Sequence, residues 1–311
     1  MQIRKKNKLI RIIGYSLLFC IFLQIILGAW VRLTGSGMSC PDWPLCYGYI
    51  FPTPGKIHSL GSIGFTYFQV FLEWIHRANA AFVIGPLCIF FSIYILYKKN
   101  IFTEYSKLSY LLLILIITQG ALGGLTVFKS NIPWSVAIHL IFAFLLYLTV
   151  LLIICKTYNF NKFSVTTSKF TKINTAYAGV LTMMAAAAGA FTSKYGASLS
   201  CNSWPGCNDN FFPNLNDMFE LIHFGHRVIA FFLLIALTIL FFKITLYFKI
   251  LSKRVKYLSG LIFIVITFQI IIGALLIYYS IPVWLGIFHQ ATGLMLFSLI
   301  SLLYLHMKLE E

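Results

Sequence analysis

Charge is what this sequence has least of: 10% of its 311 residues are charged, and only 8 are acidic. A soluble domain carries about 25% charged residues, so the composition excludes an ordinary soluble protein. Long polar stretches are also missing. Predominantly apolar runs of roughly 20 residues, enough to cross a bilayer as helices, occur near 12–31, 70–97, 108–128, 134–155, 173–192, 220–242, 257–279 and 283–306. These eight runs leave little chain for anything else, so no separate soluble domain is expected. What is abundant is apolar: 59% of residues are hydrophobic, with a mean hydropathy of +0.86.

The scarcity of acid leaves 24 basic residues and a net charge of +16, a balance that elsewhere points to nucleic acid. Placement argues against that here. With the N-terminus cytoplasmic, 18 of the 24 fall in the cytoplasmic segments, and the remainder are Arg32, Lys56, Arg77, Lys129, Lys194 and Arg227. This split follows the positive-inside rule and puts both termini in the cytoplasm. The basic excess therefore records orientation in a lipid bilayer, and no nucleic-acid partner is expected. The first apolar run is too long for a signal-peptide core, and the short basic head leaves little room for a transit peptide. A retained first span in a bacterial cytoplasmic membrane is the expectation.

The chain is written twice. Adding 150 carries His76 to His226, Arg77 to Arg227, Gln119 to Gln269, Trp134 to Trp284 and His139 to His289. Adding 161 carries Cys40, Trp43, Pro44 and Cys46 to Cys201, Trp204, Pro205 and Cys207. The first outer loop is therefore longer by 11 residues between its cysteines and its histidine. The expected fold is all-α: an integral membrane protein of eight helices in two tandem, pseudo-symmetric four-helix bundles, 1–160 and 161–311. Both units have an even number of spans, so they are parallel repeats.

His76, His139, His226 and His289 lie on even-numbered spans, five to seven residues from the outer ends, at a depth of about 10 Å. A single intramembrane histidine is usually a satisfied interior group. Two pairs with matched spacing and depth point to ligation. Small residues stand at similar depth on the odd-numbered spans: Gly28-Ala29, Gly120 to Gly124, Ala185 to Ala190 and Gly273-Ala274. They permit close helix approach or leave room for something flat. Zinc prefers four protein ligands, or three and water. Two imidazoles on facing helices fit a haem with two axial histidines better, one haem per unit. Arg77 and Arg227 are candidates for snorkelling or for haem propionate contacts.

Glu73 does not recur: its counterpart at +150 is His223, whose role is open. Glu73 and His76 share a helix face, which puts a carboxylate beside the expected haem in the first unit only. It is a candidate for proton transfer or charge stabilisation, against the plainer alternative of pairing with Arg77 at i+4. The outer pairs Cys40/Cys46 and Cys201/Cys207 both read C-x-x-W-P-x-C. An oxidising compartment favours a disulfide there, as a loop staple or as a redox-labile bridge.

Taken together, RLTGSGMSCPDWPLC at 32–46, Glu73-Trp74-Ile75-His76-Arg77 and the three other histidines resemble the haem A synthase family over the whole chain. The resemblance implies oxidation of the C8 methyl of haem O to a formyl group through a hydroxymethyl stage. It implies substrate haem between His76 and His139, resident haem b between His226 and His289, and Glu73 as a catalytic residue. It also implies disulfides Cys40–Cys46 and Cys201–Cys207, a haem O synthase as partner and an electron donor of unknown identity; a homo-oligomer stays open. The second loop departs from the pattern, with Thr192-Ser193-Lys194-Tyr195-Gly196-Ala197 in place of the RLTGSG run. Two other readings remain: a di-haem membrane electron carrier, which leaves Glu73 unexplained, and a membrane thiol oxidoreductase built on the cysteines, which leaves the histidines unexplained.

Overall fold

The computed structural model describes residues 2–98, 103–158, 168–208, 210–246 and 252–309. Among them, eight helices are long and apolar enough to cross a membrane, as the hydropathy implied. They are α1 (Gln2–Leu33), α2 (Tyr67–Tyr97), α3 (Thr103–Phe128), α4 (Pro133–Lys156), α5 (Lys169–Tyr195), α6 (Met218–Leu246), α7 (Lys253–Tyr278) and α8 (Val283–Leu309). No strand forms among the described residues beyond isolated bridges at Cys46–Tyr49 and Cys207–Asn210. The chain is thus an all-α, multi-pass membrane protein.

The helices start and stop where local chemistry dictates. Thr66 caps α2 in a reciprocal box with Gln69, satisfying donors that the helix itself cannot. Ser168 and Ser252 cap α5 and α7 by accepting from Thr171 N and Val255 N. Pro133 opens α4, at a position where its missing N–H costs nothing. Inside α2, Pro86 has no N–H to give, and the ladder passes it through a π turn at Ala80–Ile84, with Gly85 N–H bonded to Ala80 O. The +150 counterpart of Pro86 is Ala236, and α6 runs without a break.

Contacts divide the chain into two units, Met1–Thr157 and Tyr158–Glu311. The boundary expected after residue 160 falls among residues outside the described set. In the first unit, α1 and α3 each pack against both α2 and α4. Helices α2 and α4 are therefore the diagonal pair of a four-helix bundle. In the second unit, α5 and α7 flank α6 and α8 in the same way. The repeat extends to backbone detail. Ser130 and Asn131 take positive φ (52° and 54°) before α4, and Ser280 and Ile281 take 54° and 59° before α8. A β-branched residue is poorly suited to that region, so its use at Ile281 shows the turn shape being kept through sequence change.

Large apolar side chains such as Phe19 (62% exposed) and Ile117 (70%) point outward, the normal state of a surface that meets lipid. The extra length of the first outer loop has a definite use. It adds a short helix, Pro54–His58, whose Ile57 packs with Cys40, Cys46 and Val70 into a small core of its own. His58, on that helix, is exposed, whereas His306 is buried near the C-terminal end of α8.

Candidate functional site

Each of the four histidines is seated on a glycine of a neighbouring odd-numbered helix. A Cβ on Gly28 would lie 3.1 Å from His76 Cε1, one on Gly123 3.5 Å from His139 Cε1, one on Gly189 3.2 Å from His226 Cε1, and one on Gly273 3.4 Å from His289 Cε1. The small residues at these depths are expected to permit close helix approach or to leave room for something flat. At Gly28 and Gly189 the missing Cβ lets the imidazole ring approach closely, while at Gly123 and Gly273 a Cβ would meet the ring in ordinary contact.

Four residues before three of those glycines stands a glutamine. Gln24 Nε2 bonds both His76 Nδ1 (3.1 Å) and His76 O (2.8 Å). Gln119 Nε2 bonds His139 Nε2 (3.3 Å) and His139 O (3.2 Å), and Gln269 Nε2 bonds His289 Nε2 (3.4 Å) and His289 O (3.0 Å). At the fourth place, ahead of Gly189, the residue is Ala185. The motif Q-x3-G on α1, α3 and α7, written QIILGA, QGALGG and QIIIGA, is thus a histidine seat, with AAAAGA as its variant on α5. The Gln119–Gln269 match alone does not reveal the seat; the likeness of QIILGA to QIIIGA is the sequence signal that does.

Within each unit the two histidines stand on the diagonal helices, one from each. His139 Nδ1 is buried without a hydrogen bond, an expensive state in an apolar interior and one that a ligand would relieve. No group of three or more His, Cys, Asp and Glu residues converges among the described residues. A bare ion bound by side chains would want more donors than two imidazoles. A haem brings four equatorial nitrogens of its own and asks the protein for two. The donor set fits that group.

Glu73 lies at 3% exposure and is engaged on both oxygens. Oε2 accepts from Cys40 N (2.8 Å) and Ser39 Oγ (3.0 Å), and Oε1 pairs with Arg77 Nη2 at 2.6 Å. Arg77 also binds Cys40 O at 2.8 Å, Leu45 O at 2.7 Å and Asp42 O. The pair therefore latches the first outer loop onto α2. Unit two repeats the latch with other chemistry: His223 Nδ1 accepts from Cys201 N (3.4 Å), and Arg227 binds Ser203 O, Gly206 O and Cys201 O. That answers what replaces Glu73. The Nη atoms of both arginines, candidates for snorkelling or propionate contact, bond loop carbonyls, and Arg77 also pairs with Glu73.

The RLTGSG run is a plug held from three sides. Gln69 Nε2 donates to Thr34 O (3.1 Å), Ser39 Oγ donates to Ser36 O and Gln69 O, and Asn131 donates to Gly37 O. Gly35 takes a left-handed φ of 68°, and its +161 counterpart Gly196, which ends α5, takes 80°. The second loop thus preserves the turn whose sequence signature it lacks.

Both cysteine pairs, Cys40–Cys46 and Cys201–Cys207, are at disulfide distance, while Cys20, Cys88 and Cys155 are free. Inside the first bridged loop, Asp42 accepts from Tyr47 N (2.6 Å) and Gly48 N (2.8 Å). Burial raises the Tyr47 phenol above its usual range, and the Glu73 and Asp42 carboxylates add to the rise. Trp43 from this loop lies on Gly124, whose Cβ would stand 3.2 Å from the indole. The +150 counterpart of Gly124 is Ala274, so that close approach belongs to the first unit.

Comparison with known proteins gives a consistent result. The profile of the family described as "Cytochrome oxidase assembly protein" matches residues 11–301. A protein of Flavobacterium psychrophilum named Heme A synthase is 28% identical over 94% of this chain and 96% of its own. One of the same name from Shewanella oneidensis is 28% identical over 91% and 92%, and one from Oceanobacillus iheyensis is 26% identical over 98% and 95%.

Proposed function

Because the chain belongs to the cytochrome oxidase assembly protein family, we propose that it is a haem A synthase, an oxidoreductase that converts the C8 methyl of haem O to a formyl group through a hydroxymethyl stage. The observation that carries this reading is one histidine-pair design built twice, with a buried carboxylate in only one copy. The unit with the carboxylate takes substrate haem O, between His76 and His139. The other keeps a resident haem b, between His226 and His289.

When bound, haem b supplies one-electron redox capacity, tuned by its axial ligands and its burial. The rest is done by the chain. Gln24 and Gln119 fix the orientation of the two substrate-side imidazoles by donating from one amide nitrogen towards both the ring nitrogen and the backbone carbonyl of each histidine. Glu73 holds a negative charge beside His76, one turn along α2, and ties the Cys40 loop over that end of the unit. A fixed carboxylate there favours positive charge developing on the substrate, and the loop limits access of water. The protein sits in a bacterial cytoplasmic membrane with both termini cytoplasmic, supplied by a haem O synthase and an electron donor outside this chain.

The test is co-expression with a source of haem O, followed by extraction and chromatography of the haems. Haem A together with hydroxymethyl haem O is expected. Haem O alone, in a strain where the protein is present and loaded with haem, contradicts the assignment.

A further inference from the structure

Three glutamine seats hold histidines, and their amide oxygens fare differently. Gln24 Oε1 accepts from Asn79 Nδ2 at 2.7 Å. Gln269 Oε1 accepts from the Thr292 hydroxyl. Gln119 Oε1 is buried with no hydrogen-bond partner. The orientation of this amide is not arbitrary, because its nitrogen donates to His139 O at 3.2 Å and a flip would set two acceptors against each other. The difference between the units comes from one position. The +150 relation that takes Gln119 to Gln269 takes Phe142 to Thr292. Where the second unit supplies a hydroxyl to its glutamine, the first supplies a benzyl group that has no donor.

An amide oxygen left bare in an apolar interior costs about 1–3 kcal/mol, and buried polar atoms without partners call for an explanation. This one is one amide width from the nitrogen that touches the His139 ring, on the side of the protein where the substrate haem is placed. We propose that Gln119 Oε1 is a substrate-recognition acceptor for a hydroxyl group carried by the bound haem. The inference rests on the reading of unit one as the substrate unit. The donor is either the hydroxyl that haem O already bears on its isoprenoid-carrying side chain or the hydroxymethyl group formed on oxidation. The second unit, whose acceptor is closed by Thr292, has no such preference and suits a haem without hydroxyls.

The full-length chain in detergent is titrated with haem b, haem O and the hydroxymethyl derivative of haem O, following the binding that His139→Ala abolishes. In Gln119→Leu all three haems should weaken, because His139 loses its seat, but the hydroxyl-bearing haems should weaken about tenfold more than haem b. A loss shared by haem O and its derivative assigns the donor to the side-chain hydroxyl; a loss confined to the derivative assigns it to the oxidised methyl. Phe142→Thr gives Gln119 the internal donor that Gln269 has, and should produce the same selective loss with the glutamine still on His139. Equal weakening of all three haems, or none, in both variants overturns the inference. If no haem shows His139-dependent binding to the unsubstituted protein, the substrate assignment itself fails, and the inference with it.

Discussion

Consider the replacement of Glu73 by leucine. Three donors lose an acceptor, but unequally. Ser39 Oγ keeps the carbonyls of Ser36 and Gln69 at 2.7 and 2.9 Å. Arg77 keeps the carbonyls of Cys40, Leu45 and Asp42. The Cys40 N–H, whose acceptor was Oε2 at 2.8 Å, has no such reserve. Breaking a buried ion pair from one side costs about 3–5 kcal/mol. The low end applies, because Arg227 is held by carbonyls in the other unit. About 3 kcal/mol of latch stability corresponds to about a hundredfold in the opening equilibrium. Hydrogen exchange of the Cys40 amide, followed by mass spectrometry on the detergent-solubilised protein, should accelerate by about that factor. The Cys201 amide serves as an internal reference and should not change. Glu73→His should recover most of the protection, since His223 accepts from the equivalent Cys201 amide. An unchanged Cys40 exchange rate in Glu73→Leu would refute the latch.

The remaining predictions concern seats, staples and orientation. Gly28→Val crowds His76, whose Cε1 is 3.1 Å from where a Cβ would go; overpacking of about 1–3 kcal/mol should weaken haem binding in unit one about tenfold and leave the resident haem spectrum alone. Gly189→Val should do the reverse, and a variant that depletes both sites equally would argue against separate seats. Replacing Cys40 and Cys46 together by serine opens a loop closed across a sequence separation of 6, at a cost of about 2 kcal/mol; an unshifted thermal midpoint would show that the bridge stabilises nothing. In intact cells, Lys56→Cys should react with a membrane-impermeant maleimide, whereas Lys107→Cys should react only after permeabilisation; the opposite pattern would invert the proposed orientation.

Much of this architecture is written in one dimension. The eight spans follow from hydropathy alone, because lipid imposes a length and a composition on every crossing helix. The duplication follows from matched residues, and with it the recurrence of His76 and His139 as His226 and His289. What stayed hidden depends on contacts between distant residues. Nothing in the spacing of Glu73 announces that its acceptors serve Ser39 and Cys40, more than thirty positions earlier. Arg77 and Arg227 recur as candidates for snorkelling or propionate contact; the carbonyls they bind are backbone groups that carry no residue identity. The π turn at Ala80–Ile84 answers a proline whose position in the helix was visible, though its remedy was not. The glutamine seats lie between these cases, since Q-x3-G is a local signal whose meaning required a glycine and a histidine on different helices.

The division of labour between the units is the central claim, and one comparison tests it directly. His139→Ala and His289→Ala are purified after co-expression with a haem O source, and their bound haems are read by absorbance and by chromatography of the extract. His139→Ala should retain haem b and yield no haem A, while His289→Ala should lose haem b. Haem A formed by His139→Ala, or undiminished haem b in His289→Ala, would contradict the placement of substrate and resident haem.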